Sequence, residues 1–201
     1  MTEIDYEINE YLAFPTMIHQ FKSKFPVDDM VEYIQSQYNT DKNITQTEPN
    51  LQEKAMFNPL CVCIKHITSD IVRELGYNCD YLEITNMWGN YLKKETSHPP
   101  HTHSNNVFSG VYYIGGDEEA SPIQFFDPRP QAHSFKPNLN KFTNKNSNML
   151  QFEAEVGTGI IFPSWLMHWV PPTPSERTSI SWNIILRGDY GSEKEYQYAN
   201  I

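Results

Sequence analysis

The sequence predicts a mainly β protein with a helical first third, closed as a jelly roll or barrel. Three observations carry this. The first 80 residues contain two stretches with apolar residues at helical spacing. From Tyr81 onward the pattern changes to short alternating runs. Glycine and proline cut those runs at close intervals, as in closed antiparallel folds. Aromatic residues, 13% of the chain, add to the case because they favour strands.

At 201 residues the chain can build one full core and is short for two. We therefore expect a single domain, with residues 1–80 as helical support and 81–190 as the β core. Residues 12–21, LAFPTMIHQF, read as a short strand interrupted by Pro15. Pro26 then opens a helical pattern of Val27, Met30, Val31 and Ile34, with Asp28 and Asp29 in the first turn where the helix dipole favours acids. It should run to about Tyr38. Residues 39–59 are polar, carry two prolines and read as a loop. Beyond Leu60, the spacing of Ile67, Ile71, Val72 and Leu75 predicts a second amphipathic helix ended by Gly76.

The β-rich part starts with LEITNMWGNYL, which alternates as a strand does. A turn follows, then VFSGVYYIGG and PIQFFDPRP. An irregular stretch spans residues 132–148. Three more strand-like segments close the series, MLQFEAEV, GTGIIFPSW and SISWNIILRG, and the tail GSEKEYQYANI reads as surface.

A net charge of −10 without a Lys/Arg cluster argues against a nucleic-acid partner. No apolar run approaches the roughly 20 residues needed to span a membrane. The N-terminus, MTEIDYEINEYLAF, lacks the basic and apolar regions of a signal peptide. Cys61, Cys63 and Cys79 show no CxxC pattern and read as free thiols of a reducing compartment, which places the protein in the cytoplasm, the host's if a phage encodes it. A homodimer is compatible with this composition.

Chemistry concentrates in two stretches. HPPHTHSNNVFSGVYYI opens with His98, His101 and His103. Much later, GTGIIFPSWLMHWVPPTPSERTSISWNII contains His168 and, nine positions on, Arg177. On a strand, residues two apart share a face, so His101 and His103 are placed to bind one metal ion, and imidazole suits Fe, Zn, Cu and Ni. Each element alone has a plainer reading. An HxH pair also fits a solvated loop, and His168, among Phe162, Trp165, Met167 and Trp169, also fits a satisfied core residue. Together they point to one metal held by His101, His103 and His168.

The run HTHSNNVFSGVYY, then FFDPR, GTGIIFPSWLMHWVPP and ERTSISWN, resembles the 2-oxoglutarate and Fe(II)-dependent oxygenases, most closely the small prolyl-hydroxylase-like group of bacteria and phages. The likeness covers residues 84–188. It implies a double-stranded β-helix (a jelly roll of cupin type) with one iron in its mouth, and a dioxygenase that uses 2-oxoglutarate and O2. Oxidative decarboxylation to succinate and CO2 would drive hydroxylation of a C–H bond of an unknown, prolyl or peptidyl substrate. By the same resemblance His101 is the first metal ligand and His168 the last. The family's usual second ligand is an Asp or Glu, and here His103 stands in that place.

Arg177 matches the family arginine that holds the far carboxylate of 2-oxoglutarate, a task suited to a planar guanidinium. Arg187 is its nearest competitor, and Tyr113 matches a tyrosine directed at the same carboxylate, with Tyr112 facing the other way; Tyr113 equally fits a core residue. Trp88 and Asn90 fit either the substrate mouth or the core, and Asn183, on a late strand, is a candidate for the pocket wall. Asp127 reads as a turn cap, with a lesser reading as the third ligand. His98 falls off the HxH register and is not expected to bind metal; His19, His66 and His133 have no partner pattern. Two alternatives stay open: a three-histidine cupin-type dioxygenase that does not use 2-oxoglutarate, and a non-catalytic metal- or ligand-binding module.

Overall fold

A computed structural model describes residues 7–38, 45–135 and 137–201. Helix α1 (Asp28–Ser36) carries Asp28 and Asp29 in its first turn and buries Met30 and Ile34. Helix α2 (Asn58–Glu74) has Pro59 in its first turn, where no N–H is required, and buries Leu60, Ile64, Ile71 and Val72 along one stripe. Gly76, at φ +70°, closes it. The Tyr77 N–H bonds the Val72 carbonyl and the Gly76 N–H bonds the Arg73 carbonyl, which satisfies two orphan carbonyls at the helix end.

Eleven strands follow in the described residues: β1 (His19–Lys22), β2 (Tyr81–Leu92), β3 (His98–His101), β4 (Phe108–Gly116), β5 (Ile123–Phe126), β6 (Met149–Phe152), β7 (Thr158–Pro163), β8 (His168–Val170), β9 (Arg177–Arg187), β10 (Asp189–Tyr190) and β11 (Ala199–Asn200). The major sheet has the order β1-β7-β4-β9-β2 and the minor sheet β3-β8-β5-β6, with every pairing antiparallel. This is a double-stranded β-helix, with the site at the end where β3 and β8 face the major sheet.

The major sheet is covered on both faces, so β4 and β9 are buried along nearly their whole length. One face packs against α1 and α2 through Phe108, Tyr112, Ile180, Trp182 and Ile184. The other lines the inside of the β-helix, where Val111, Tyr113 and Ile160 meet Ile123, Phe125 and Phe162. Tyr112 and Tyr113 thus separate to opposite faces as alternation requires. Gly89 on β2 lets α1 lie close, because a Cβ there would overlap the Ile34 side chain.

Two expectations needed correction. Residues 12–18 are not strand. Phe14 sits at φ +57° and Pro15 offers no N–H, so pairing begins only at His19. The segment after β2 is more than a turn, since it contains β3. Strands β3, β8, β10 and β11 have two to four residues each, too few to show a period in sequence. Residues 39–44 of the expected loop lie outside the described residues; residues 45–57 bridge to β2 through Gln46–Asn90 and Asn50–Met87. Among the described residues no helix is long and apolar enough to cross a membrane.

Candidate metal centre

His101 ends β3 and His168 begins β8, and the two stand directly opposite in the antiparallel ladder. Their ring centroids are 4.3 Å apart. His103 lies beyond the end of β3, so the shared-face argument for a strand pair does not hold for it. The turn brings it back instead: its backbone N–H bonds the Ser164 carbonyl at 2.9 Å. Its ring then stacks at 5.2 Å from His101 and lies 5.2 Å from His168. One ligand atom from each histidine falls within 4.8 Å of the other two, and among the described residues this is the group of three or more metal-ligating side chains that converges. Nitrogens held about 2.1 Å from one ion are at most roughly 4.2 Å apart, so small side-chain rotations close the set on a metal.

The outward nitrogens decide which atoms face inward. His101 Nδ1 pairs with the Pro99 carbonyl at 2.8 Å, and His168 Nδ1 with the Leu166 carbonyl at 2.9 Å. A carbonyl only accepts, so both Nδ1 atoms carry the proton. His103 Nδ1 donates to Asn183 Oδ1, with Ser109 Oγ 3.1 Å away. In all three rings Nε2 is left with its lone pair free, the arrangement that metal-bound histidines need. Burial also keeps the His168 and His103 rings neutral. It pushes His168 down to about 3 against the opposing hydrogen bond to Leu166, and lowers His103 against the opposing bond to Asn183. Metal and proton compete for the same nitrogen, so neutral rings favour the metal.

Asp127 is not in this group. It caps a turn and pairs with Arg129: the Arg129 backbone N–H donates to Oδ1 at 2.9 Å, and the guanidinium takes both carboxylate oxygens. His98, in contrast, lines the cleft around the histidines.

Arg177, the first residue of β9, is 3% exposed and also lines the cleft. Its Nη1 donates to the Ser121 carbonyl at 2.9 Å, and its guanidinium lies 5.0 Å from the Tyr113 ring centre. Its Nε is buried without a partner. Among the described residues no carboxylate neutralises it, and a buried charge left so is costly without an anionic ligand. Arg187 differs: it is half-exposed and donates to Glu83 at 2.5 Å. Tyr113 is fully buried with its hydroxyl unpartnered, and burial raises its pKa against the nearby Arg177 charge. It stands beside Arg177.

On β9 every second residue, Arg177, Ser179, Ser181 and Asn183, faces the same side. The first three line the cleft; Asn183 does not, and stands behind His103 as its hydrogen-bond acceptor. Trp88 and Asn90 on β2 line the cleft. They are tied together: Asn90 Oδ1 accepts from Trp88 Nε1 at 3.1 Å and Gln46 Nε2 at 2.9 Å, and Asn90 Nδ2 donates to Ser181 at 3.0 Å. Sequence reasoning missed Gln46, Ser179, Ser181 and the Ser109–Ser164 pair behind His103. The polar alternation of RTSISWN was the one signal for the serines of β9.

Residues 86–183 match the family described as "Putative 2OG-Fe(II) oxygenase". Over this region the chain is similar to the 2-oxoglutarate and Fe(II)-dependent oxygenases. The fold agrees. A prolyl-4-hydroxylase from Pseudomonas putida shares it with a TM-score of 0.58 at 13% identity, over 86% of this chain and 89% of that one. The viral collagen prolyl hydroxylase of Paramecium bursaria Chlorella virus-1, in complex with 2-oxoglutarate, gives 0.55 at 13% identity over 83% and 94%. HygX from Streptomyces hygroscopicus, with nickel and 2-oxoglutarate bound, gives 0.53 at 11% identity over 85% and 82%. No curated protein sequence matches the chain. The oxygenase family uses Fe(II), 2-oxoglutarate and O2, and three neutral imidazoles with free Nε2 lone pairs fit a first-row divalent ion.

Proposed function

We propose that His101, His103 and His168 hold Fe(II), and that Arg177 and Tyr113 hold the far carboxylate of 2-oxoglutarate, in a hydroxylase acting on a prolyl or other peptidyl C–H bond. The observation that carries the reading is Arg177: a buried guanidinium without a carboxylate partner, in the cleft that also holds the three histidines. It favours this reading over a three-histidine dioxygenase that does without 2-oxoglutarate, because such an enzyme has no use for an unneutralised arginine there. Charge supports it too. Three neutral histidines leave the ion's two positive charges uncompensated by the protein, and Arg177 adds a third. A dianionic 2-oxo acid brings two negative charges to that cleft, at the points where the cations lie.

When bound, the iron would activate O2, the oxidant, which takes two electrons from 2-oxoglutarate as it becomes succinate and CO2 and two from the substrate C–H bond. The chain's own residues bind, orient and exclude water. The Nδ1 hydrogen bonds lock the three rings, Arg177 and Tyr113 fix the length and direction of the cosubstrate, and Phe162, Ile123 and Val170 keep the inner wall apolar. Trp88 and Asn90, fixed by Gln46 and Ser181, form the mouth that meets the primary substrate. The peptidyl substrate rests on the likeness to prolyl hydroxylases. Three unpaired cysteines support a reducing, cytoplasmic setting.

The test is succinate formation from 2-oxoglutarate, with and without proline-containing peptides, beside anaerobic titration of the Fe(II) protein with 2-oxoglutarate followed by the charge-transfer band of the chelate. Truncating one member of such a buried charge pair costs about 2–5 kcal/mol. Arg177→Ala should therefore bind 2-oxoglutarate roughly 30-fold to a few thousand-fold more weakly. Arg177→Lys recovers part, since an ammonium cannot make the two-pronged contact. Arg187→Ala, outside the cleft, changes nothing. Equal affinity in wild type and Arg177→Ala would remove the arginine from the site.

A further inference from the structure

Strand β3 has an odd spacing. His98 and His101 are its half-buried residues, and Pro99 and Pro100 between them are exposed. In a regular strand, residues three apart face opposite sides. Here the ladder to β8 shifts register between His98 and His101, and the two prolines, which have no N–H to give, sit at that irregularity. Both histidines therefore face the cleft. His98 lies opposite Val170, itself part of the cleft wall.

His98 is not part of the converging metal group. Its Nε2 is nonetheless buried and has no hydrogen-bond partner. Leaving a buried polar atom unpaired is costly, and such atoms in a native fold call for a missing partner. Two others belong to Arg177, which also lines the cleft, and to Tyr113 beside it: Arg177 Nε and the Tyr113 hydroxyl. Arg177 is near enough to His98 for its charge, together with burial, to lower the imidazole pKa to about 4. The ring is thus a neutral group with one N–H to donate.

We propose that His98 is a third contact for the far carboxylate of the cosubstrate, its Nε2–H donating to an oxygen that Arg177 and Tyr113 hold from other sides. This rests on the reading of Arg177 above. A carboxylate has about four acceptor sites, so three donors are within its capacity. The consequence is selectivity: His98 would distinguish a dicarboxylic 2-oxo acid from a ligand that offers the chelating end alone.

The experiment is calorimetric titration of anaerobic Fe(II)-loaded protein with 2-oxoglutarate and with oxalate, which has the chelating end and no far carboxylate. Wild type, His98→Phe, His98→Gln and Arg177→Ala are compared at equal metal content. His98→Phe should weaken 2-oxoglutarate about ten- to hundredfold, the range for a hydrogen bond to a charged group, and leave oxalate unchanged. His98→Gln, which keeps an N–H donor, should recover part of the loss. Unchanged 2-oxoglutarate affinity in His98→Phe overturns the assignment, and so does an equal loss for both ligands, which would mean that only the cleft's shape had changed. A flat His98 series beside a weakened Arg177→Ala sinks His98 alone; a flat Arg177→Ala sinks the parent reading as well.

Discussion

Asn183 touches no substrate in the proposed site, yet metal binding as proposed depends on it. Its Oδ1 accepts from His103 Nδ1 and from Ser109 Oγ, the latter at 2.8 Å. Removing that acceptor frees His103 to put its proton on Nε2, the nitrogen the metal needs. Losses of such supporting contacts typically cost 10- to 100-fold in metal affinity. The surroundings set where in that range each variant falls. In Asn183→Ala, Ser109 Oγ remains 3.1 Å from Nδ1 and can turn its hydroxyl to accept, using the Ser164 hydroxyl 2.8 Å away as its own partner. The loss should be about tenfold. In the double variant Ser109→Ala/Asn183→Ala both acceptors are gone, and the loss should approach about a hundredfold. His101 and His168, pinned to backbone carbonyls, are unaffected. The assay is competition for Ni(II) or Zn(II) between stripped protein and a chromophoric chelator, with denaturant unfolding run in parallel. Wild-type metal affinity in a folded double variant would refute the reasoning, because His103 would then be oriented by something else or bind no metal.

Two further outcomes are expected. Trp182 is fully buried on the face of the major sheet under the helices, so Trp182→Ala should cost about 3–5 kcal/mol in urea unfolding. Trp182→Phe should cost clearly less, since it keeps most of the volume and removes a buried N–H without a partner; equal costs would contradict that. For pH, the folded pKa of His168 is depressed to about 3 and that of His98 to about 4, both below the ordinary value of 6.5. Below about pH 6.5 the unfolded chain takes up protons that the folded one refuses, so stability is fully present above that pH and is lost on acidification towards 3–4. Metal-free protein should show a falling unfolding midpoint from pH 7 to pH 5, and the fall should shrink in His168→Ala measured against its own pH 7 value. A flat profile would mean these rings are not buried neutral.

Much of the fold was legible because its causes are local. The stripes of α1 and α2, the Gly76 stop and the longer strands β2, β4, β7 and β9 follow from residues within a turn or two of each other. The short strands β3 and β8, which carry two of the three histidines, left no such trace. His101, His103, His168 and Arg177 stand out from residue type and order, and Tyr113 only from the family resemblance. The geometric reason offered for the HxH pair was wrong for this chain, since His103 reaches the site through a turn held by Ser164 and not by sharing a strand face with His101.

The sequence by itself determined which side chains were available: three imidazoles and a guanidinium on a β-rich frame, with no carboxylate two residues after His101. The tertiary structure decided which of them meet. The β3–β8 register sets His101 against His168, and the bulge at Pro99 and Pro100 turns His98 to the same cleft. Glu83 pairs with Arg187, and among the described residues Arg177 is a buried cation without a counter-charge. Asn183, placed on β9 under His103, fixes a tautomer from far along the chain. Periodicity is set by neighbours a few residues away, whereas register, ion pairing and tautomer depend on atoms brought within hydrogen-bond distance only once two sheets have closed on each other.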